Sequence, residues 1–150
     1  MQPFDHLTLM QFLWAALSIL GFSIRANLKG CKILFLALGG GLQWALYLII
    51  LYFSGSMLFS VFGATILVCI YAEVVARALR MPVSVFVICV IIPLVPGRTL
   101  YYAMQAYIAG NSAAASEHGY KLILISGTIA MAIALVSSVT NIVYRLINRF

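Results

Sequence analysis

The sequence predicts an all-α integral membrane protein of about five transmembrane helices, the fourth broken between Pro93 and Gly97. Three observations carry that prediction. Of 150 residues, 65% are hydrophobic and only 8% are charged, whereas soluble domains run near a quarter charged because water must wet their surfaces. The mean hydropathy is +1.12, and a globule of this size has no interior for so much apolar surface. A bilayer removes the difficulty, since lipid tails replace water around the chain. Finally, the few charges cluster between apolar runs. Residues 1–150 read as a single membrane-embedded domain.

The net charge of +6 rests on nine Lys and Arg against three acids. These bases do not line a helix face among polar residues. They sit in small groups between apolar runs, as topology signals do, so nucleic acid is not an expected partner. Cys31, Cys69 and Cys89 are widely spaced and form no CxxC pair, which predicts free, buried, inert thiols. The first residues, Met1 to Gln11, offer only Asp5 and His6 as ionisable side chains, so they do not resemble a cleavable signal.

A bilayer core takes about 20 apolar residues as helix. On that scale the first span covers about 7–24, the second 33–53, the third 58–76, the interrupted fourth 83–109 and the fifth 122–144. If these alternate, Arg25, Lys29, Lys32, Arg77, Arg80, Arg145 and Arg149 share one face. Lys121 lies at the edge of the other, beside the Ser54-Gly55-Ser56 turn and the loop at 110–119. Seven bases against one place the N-terminus outside and the C-terminus in the cytoplasm.

Helices in lipid approach closely through small side chains. The second span offers Ala37, Gly41 and Ala45 within the run Gly39-Gly40-Gly41, and the fifth offers Ser126, Ala130, Ala134 and Ser138. Both stripes read as packing seams within the bundle.

The fourth span departs from a plain bundle. Residues 83–92 are ten positions, apolar but for Ser84, about 15 Å of helix or half the bilayer. Pro93-Leu94-Val95-Pro96-Gly97 follows, and each proline removes a backbone donor and disfavours helix just before it. A second short helix is expected over 98–109. Such a break is tolerated only where protein covers it or where it lines a wet cavity, and discontinuous helices of this kind hold substrate in transporters. The alternative is a proline kink with packing consequences alone.

Arg98 weighs for the first reading. At the start of the second half-helix it adds a full charge to a helix N-terminus, at an insertion cost of about 2.5–3.5 kcal/mol. Tyr102 and Gln105 follow at i+4 and i+7 on its face, giving Arg98, Tyr102 and Gln105 as candidate substrate ligands behind Pro93, Pro96 and Gly97. Glu73 stands four residues before Arg77 near the cytoplasmic end of the third span. This spacing favours a structural ion pair over a proton-relay carboxylate. The doublets Asp5-His6 and Glu117-His118 lack metal-site spacing. With no nucleophile triad, phosphate loop or CxxC framework, neither an enzyme nor a cofactor is expected.

The run Ala76-Arg77-Ala78-Leu79-Arg80-Met81-Pro82-Val83-Ser84-Val85-Phe86 carries a resemblance. So do Ile91-Ile92-Pro93-Leu94-Val95-Pro96-Gly97 and Leu100-Tyr101-Tyr102-Ala103-Met104. Together they resemble the threonine/serine exporter family, in its smaller, wholly membrane-embedded module. Gly21-Phe22, Asn27 and the five-span layout are similar too. One departure is that Arg98 and Thr99 follow Gly97 where the family commonly has small residues. The resemblance implies export of small polar metabolites, such as threonine, serine or a dicarboxylate, driven by the proton gradient across a bacterial inner membrane. It also implies a larger subunit of the same family as partner, a homo-oligomer being the other assembly open to the chain. Two functions then compete: a transporter subunit that contributes a substrate-binding half-helix, and a structural scaffold subunit that never touches substrate. The scaffold predicts that protein contacts seal the polar stripe.

Overall fold

The computed structural model describes residues 6–25, 28 and 30–147. Asp5, Asn27, Lys29 and Arg149, which enter the sequence reading, lie outside them. Six helices follow one another: α1 His6–Arg25, α2 Cys31–Ser54, α3 Met57–Ala78, α4 Val83–Ile91, α5 Gly97–Ile108 and α6 Ser112–Ile147. A 3-10 turn, Ile92–Leu94, continues α4 towards α5. The protein is an all-α membrane protein. Of these helices, α2, α3 and α6 are long and apolar enough to cross a bilayer unbroken, and α4 with its 3-10 turn and α5 form a pair bent by 59°, together long and apolar enough for one broken span. The apolar stretch of α1, Leu9–Arg25, is shorter.

Helix ends follow local chemistry. Gly55 takes a left-handed φ of 63° and donates to the Leu51 carbonyl at 3.0 Å, closing α2 two residues before α3 begins. At the end of α3, Met81 N–H reaches the Ala76 carbonyl at 2.8 Å and Arg80 N–H the Arg77 carbonyl at 3.1 Å. That paired closure puts Arg80 at φ 51°, a conformation that costs a non-glycine residue about 1 kcal/mol. Gly110 ends α5 in the same way, and Asn111 then caps α6 by accepting the Ala114 N–H at 3.1 Å.

Packing centres on α3, which touches α2, α4 and α6. Val61, Ala64, Val68 and Ala72 of α3 meet Leu36 of α2, Phe86 and Val90 of α4, and Ile125 and Ile129 of α6 in one core. The glycine run is the seam expected of it. A methyl built on Gly39 would stand 2.8 Å from the Tyr71 ring, one on Gly40 2.3 Å from Ile19 Cγ1, and one on Gly41 2.7 Å from the Phe12 ring. Only bare backbone lets α1, α3 and α4 come this close to α2.

Three expectations need correction. Ser126, Ala130, Ala134 and Ser138 are exposed and form no seam within the chain. The bulkier face of Ile125, Ile129, Ala132 and Val136 is buried instead, because it offers more apolar contact to α3. The loop expected at 110–119 shrinks to the Gly110–Asn111 corner. Helix-forming Ala113, Ala114 and Ala115 extend α6 outward, and a 2.6 Å Glu117–Lys121 ion pair adds support. The resulting 36 residues measure about 54 Å, well beyond the bilayer core. Third, all three cysteines are free, but Cys31 is exposed at the start of α2.

Candidate functional site

The C-terminal ends of α3 and α6 and the N-terminal end of α4 meet at one side of the bundle. There, between the three helices, lies a cavity of about 520 Å³. Its polar wall is Glu73, Arg77, Ser84, Ser137 and Asn141, and its apolar wall climbs α4 through Ile91 and Ile92 to Val95. The cavity therefore joins the end of the bundle to the break in the fourth span.

Glu73 is the only buried acid among the described residues. Its Oε2 accepts two bonds from Arg77, from Nε at 3.1 Å and from Nη2 at 2.7 Å. The carboxylate side chain is 9% exposed and the arginine 33%, so the pair has one dry and one wetter member. The Arg77 guanidinium also lies 3.5 Å from the centre of the Tyr144 ring. The cation is thus held between a carboxylate and an aromatic face, fixing α3 to the end of α6. The i,i+4 pairing expected from sequence is present.

The break is as abrupt as its prolines require. Pro93 lies inside the 3-10 turn and Pro96 directly before α5, so the carbonyls of Cys89 and Ile92 lose their helical donors. Val95 N–H recovers the Ile92 carbonyl at 3.1 Å, and Gly97 N–H bonds the Val95 carbonyl at 2.7 Å. No side chain caps α5 at Pro96; Gly97 N–H is taken by Val95 and Leu100 N–H by Pro96, which leaves the N–H groups of Arg98 and Thr99 as the bare donors of the first turn.

Beyond the break, Arg98, Tyr102 and Gln105 share the expected face of α5 and are exposed. The Arg98 guanidinium stands 5.5 Å from the Tyr102 ring centre, and that ring lies 5.8 Å from the His118 ring of α6. Helix α5 buries no residue and packs chiefly on α6. The structure therefore gathers Glu73 and Arg77 with the cavity, and Arg98, Tyr102 and Gln105 with each other. It does not bring the two groups together: Glu73 is engaged by Arg77, and Arg98 is absent from the cavity wall.

Sequence reasoning missed Ser84, Ser137 and Asn141. The signal was present in α6, where Ser137 and Asn141 stand four apart in an apolar helix, but Ser138 drew notice to the neighbouring stripe. It also passed over Gln43, a wholly buried amide in the middle of α2.

A family model described as Threonine/Serine exporter, ThrE matches residues 11–139. No curated protein and no solved structure matches the chain.

Proposed function

We propose, starting from the fact that the chain belongs to the threonine/serine exporter family, that it is one subunit of a secondary transporter exporting small polar metabolites. The solutes are amino acids of the threonine/serine type or a dicarboxylate. The observation that carries this reading is the cavity running from the Glu73–Arg77 pair to the α4–α5 break. About 520 Å³ is ample for a solute of that size. With the charge bias placing the ends of α3 and α6 in the cytoplasm, the cavity is a vestibule open on the side from which an exporter loads.

Past the break the solute meets the first turn of α5 and Arg98. The bare N–H groups of Arg98 and Thr99 and the Arg98 guanidinium lie on the same first turn, and a carboxylate is the group such a fork holds through two parallel bonds. Tyr102 and Gln105 extend that polar face. Their exposure, together with the lack of any buried residue on α5, supports a partner that covers the half-helix. A cationic stripe facing lipid would be costly. A larger subunit of the same family is the proposed occupant, in a bacterial inner membrane. The scaffold alternative calls for the same covering partner to seal the stripe with no solute bound there, and the Arg98 variants below separate the two readings.

The test is co-expression with a large subunit. The small chain alone should leave cytoplasmic threonine and dicarboxylate levels unchanged, and the pair should lower them. Arg98→Lys should keep complex yield and weaken efflux, and Arg98→Ala should weaken it further, because an ammonium cannot reproduce the fork. Normal efflux from a normally assembled Arg98→Ala complex would remove Arg98 from the site. Full transport by the purified small chain in liposomes would overturn the subunit assignment.

A further inference from the structure

Gln43 is wholly buried in the middle of α2, and neither its Nε2 nor its Oε1 has a hydrogen-bond partner. An amide carries two donors and a two-lone-pair acceptor, and burying all of them with no protein partner is unfavourable. Native interiors hold few such groups, and each calls for a physical reason. A methionine would fill the same space with no polar loss.

Helical register gives the direction in which Gln43 faces. It follows Gly39 by four residues, about 40° round the helix. The Gly39 position faces Tyr71 of α3 and Val90 of α4, and the Gly40 position faces Ile19 of α1. Gln43 is therefore directed between those neighbours, one turn further along. Helices α2 and α4 start from the same end of the bundle, so one turn beyond Val90 is Leu94, in the 3-10 turn of the break. Both α1 and α2 pack on that turn. Ile92, within the same turn, also lines the cavity between α3, α4 and α6. The broken segment thus stands as a partition, with the cavity on one side and an unbonded amide on the other.

We propose that Gln43 is a solute ligand of the transporter's other conformation. When the Ile92–Leu94 turn moves off α2, the amide is uncovered to the cavity and bonds a hydroxyl or carboxylate oxygen of the solute that has come through it. The proposal rests on the export reading and adds a binding residue on a different helix from Arg98. It explains why the chain keeps an amide with no protein partner at the level of the segment whose backbone is already broken. In the closed state the amide is unsatisfied, and only opening supplies its partner, so its burial lowers the cost of opening.

The experiment uses the complex with its large subunit and the variants Gln43→Met and Gln43→Asn. Thermal stability, complex yield and efflux of radiolabelled threonine and succinate are measured together. Gln43→Met should match or exceed the wild type in stability and yield, since it removes an unbonded group at matched chain length. Its efflux should show an apparent affinity for at least one of these solutes weaker by about tenfold, the worth of a hydrogen bond to a desolvated group. Gln43→Asn keeps the amide one methylene short and should fall between the two. A less stable Gln43→Met complex would mean the amide is bonded in the closed fold and would overturn the proposal. Wild-type efflux from a stable Gln43→Met complex would overturn it too, leaving at most an internal water at the site. Absence of efflux from the wild-type complex would instead defeat the export reading itself.

Discussion

Removing Arg77 should damage the protein more than neutralising Glu73, and the two changes should not add. The carboxylate is the drier partner, with a side chain 9% exposed against 33% for the arginine. Arg77→Gln strips two bonds from Glu73 Oε2 and the cation from the Tyr144 ring, leaving a nearly buried charge uncompensated. Breaking a fully buried pair costs about 3–5 kcal/mol. A third of the arginine reaches solvent, so the figure falls to about 2–3 kcal/mol, including its aromatic contact. Glu73→Gln leaves a charged arginine that keeps its ring and its access to water, at about 1 kcal/mol. The double variant should cost less than the sum by about 1–2 kcal/mol, because no buried charge is stranded. Thermal unfolding of wild type, both single variants and the double variant in lipid nanodiscs reads this cycle. Efflux should track stability, and Glu73→Gln should leave its pH profile unchanged, as a structural pair requires. Zero coupling would refute the energetic argument. An unshifted melting temperature in Glu73→Gln, with a lost pH dependence of efflux, would show that the carboxylate carries a proton.

Two further outcomes test the packing and the orientation. Gly40→Ala brings a methyl to 2.3 Å from Ile19 Cγ1, in a side chain with no exposure, and should destabilise by about 1–3 kcal/mol. Gly127→Ala, with nothing within 4 Å, should be neutral or stabilising by up to about 1 kcal/mol, and equal melts for the two would refute the α1–α2 seam. Cys31 is exposed at the proposed cytoplasmic end, whereas Cys69 and Cys89 are buried. A membrane-impermeant maleimide should therefore label the chain only after permeabilisation, with Cys31→Ala abolishing the signal, and labelling in intact cells would overturn the orientation.

What the sequence made legible is what one-dimensional patterning encodes. Runs of about 20 apolar residues predicted α2 and α3 closely, and Pro93 and Pro96 predicted the break because missing N–H donors act locally. The Glu73–Arg77 pair was equally visible, since four residues on one helix set its geometry. What stayed hidden depends on which helix stands opposite. Small residues recur by chance in apolar helices, so the stripe at Ser126 and Ala130 carried no sign that α3 would take the Ile125 and Ile129 face instead. Ser84, Ser137 and Asn141 meet only because α4 and α6 converge beside α3. The length of α6 was masked for another reason: Glu117, His118 and Lys121 read as a solvated loop by hydropathy, yet the alanines before them favour helix.

The asymmetry across the break has a mechanical consequence. Of the nine residues of α4, Phe86, Val87, Cys89, Val90 and Ile91 are buried, and Val90 lies against the bare backbone at Gly39. The twelve residues of α5 bury none, although Leu100, Met104 and Ile108 are large and apolar. Local opening is least costly where the fewest apolar contacts must be given up. Within this chain α4 is therefore the fixed half of the broken span and α5 the loosely held half, tied to the bundle through α6. The 3-10 turn between them carries the backbone that two prolines have already freed from helical bonding, so it can bend without breaking a regular ladder. In a transporter the moving half should carry the group that follows the solute, and the fixed half should bound the chamber it leaves. Arg98 sits on the first and the cavity wall from Ser84 to Ile91 on the second, so the proposed ligand and the chamber wall fall on opposite sides of the bend.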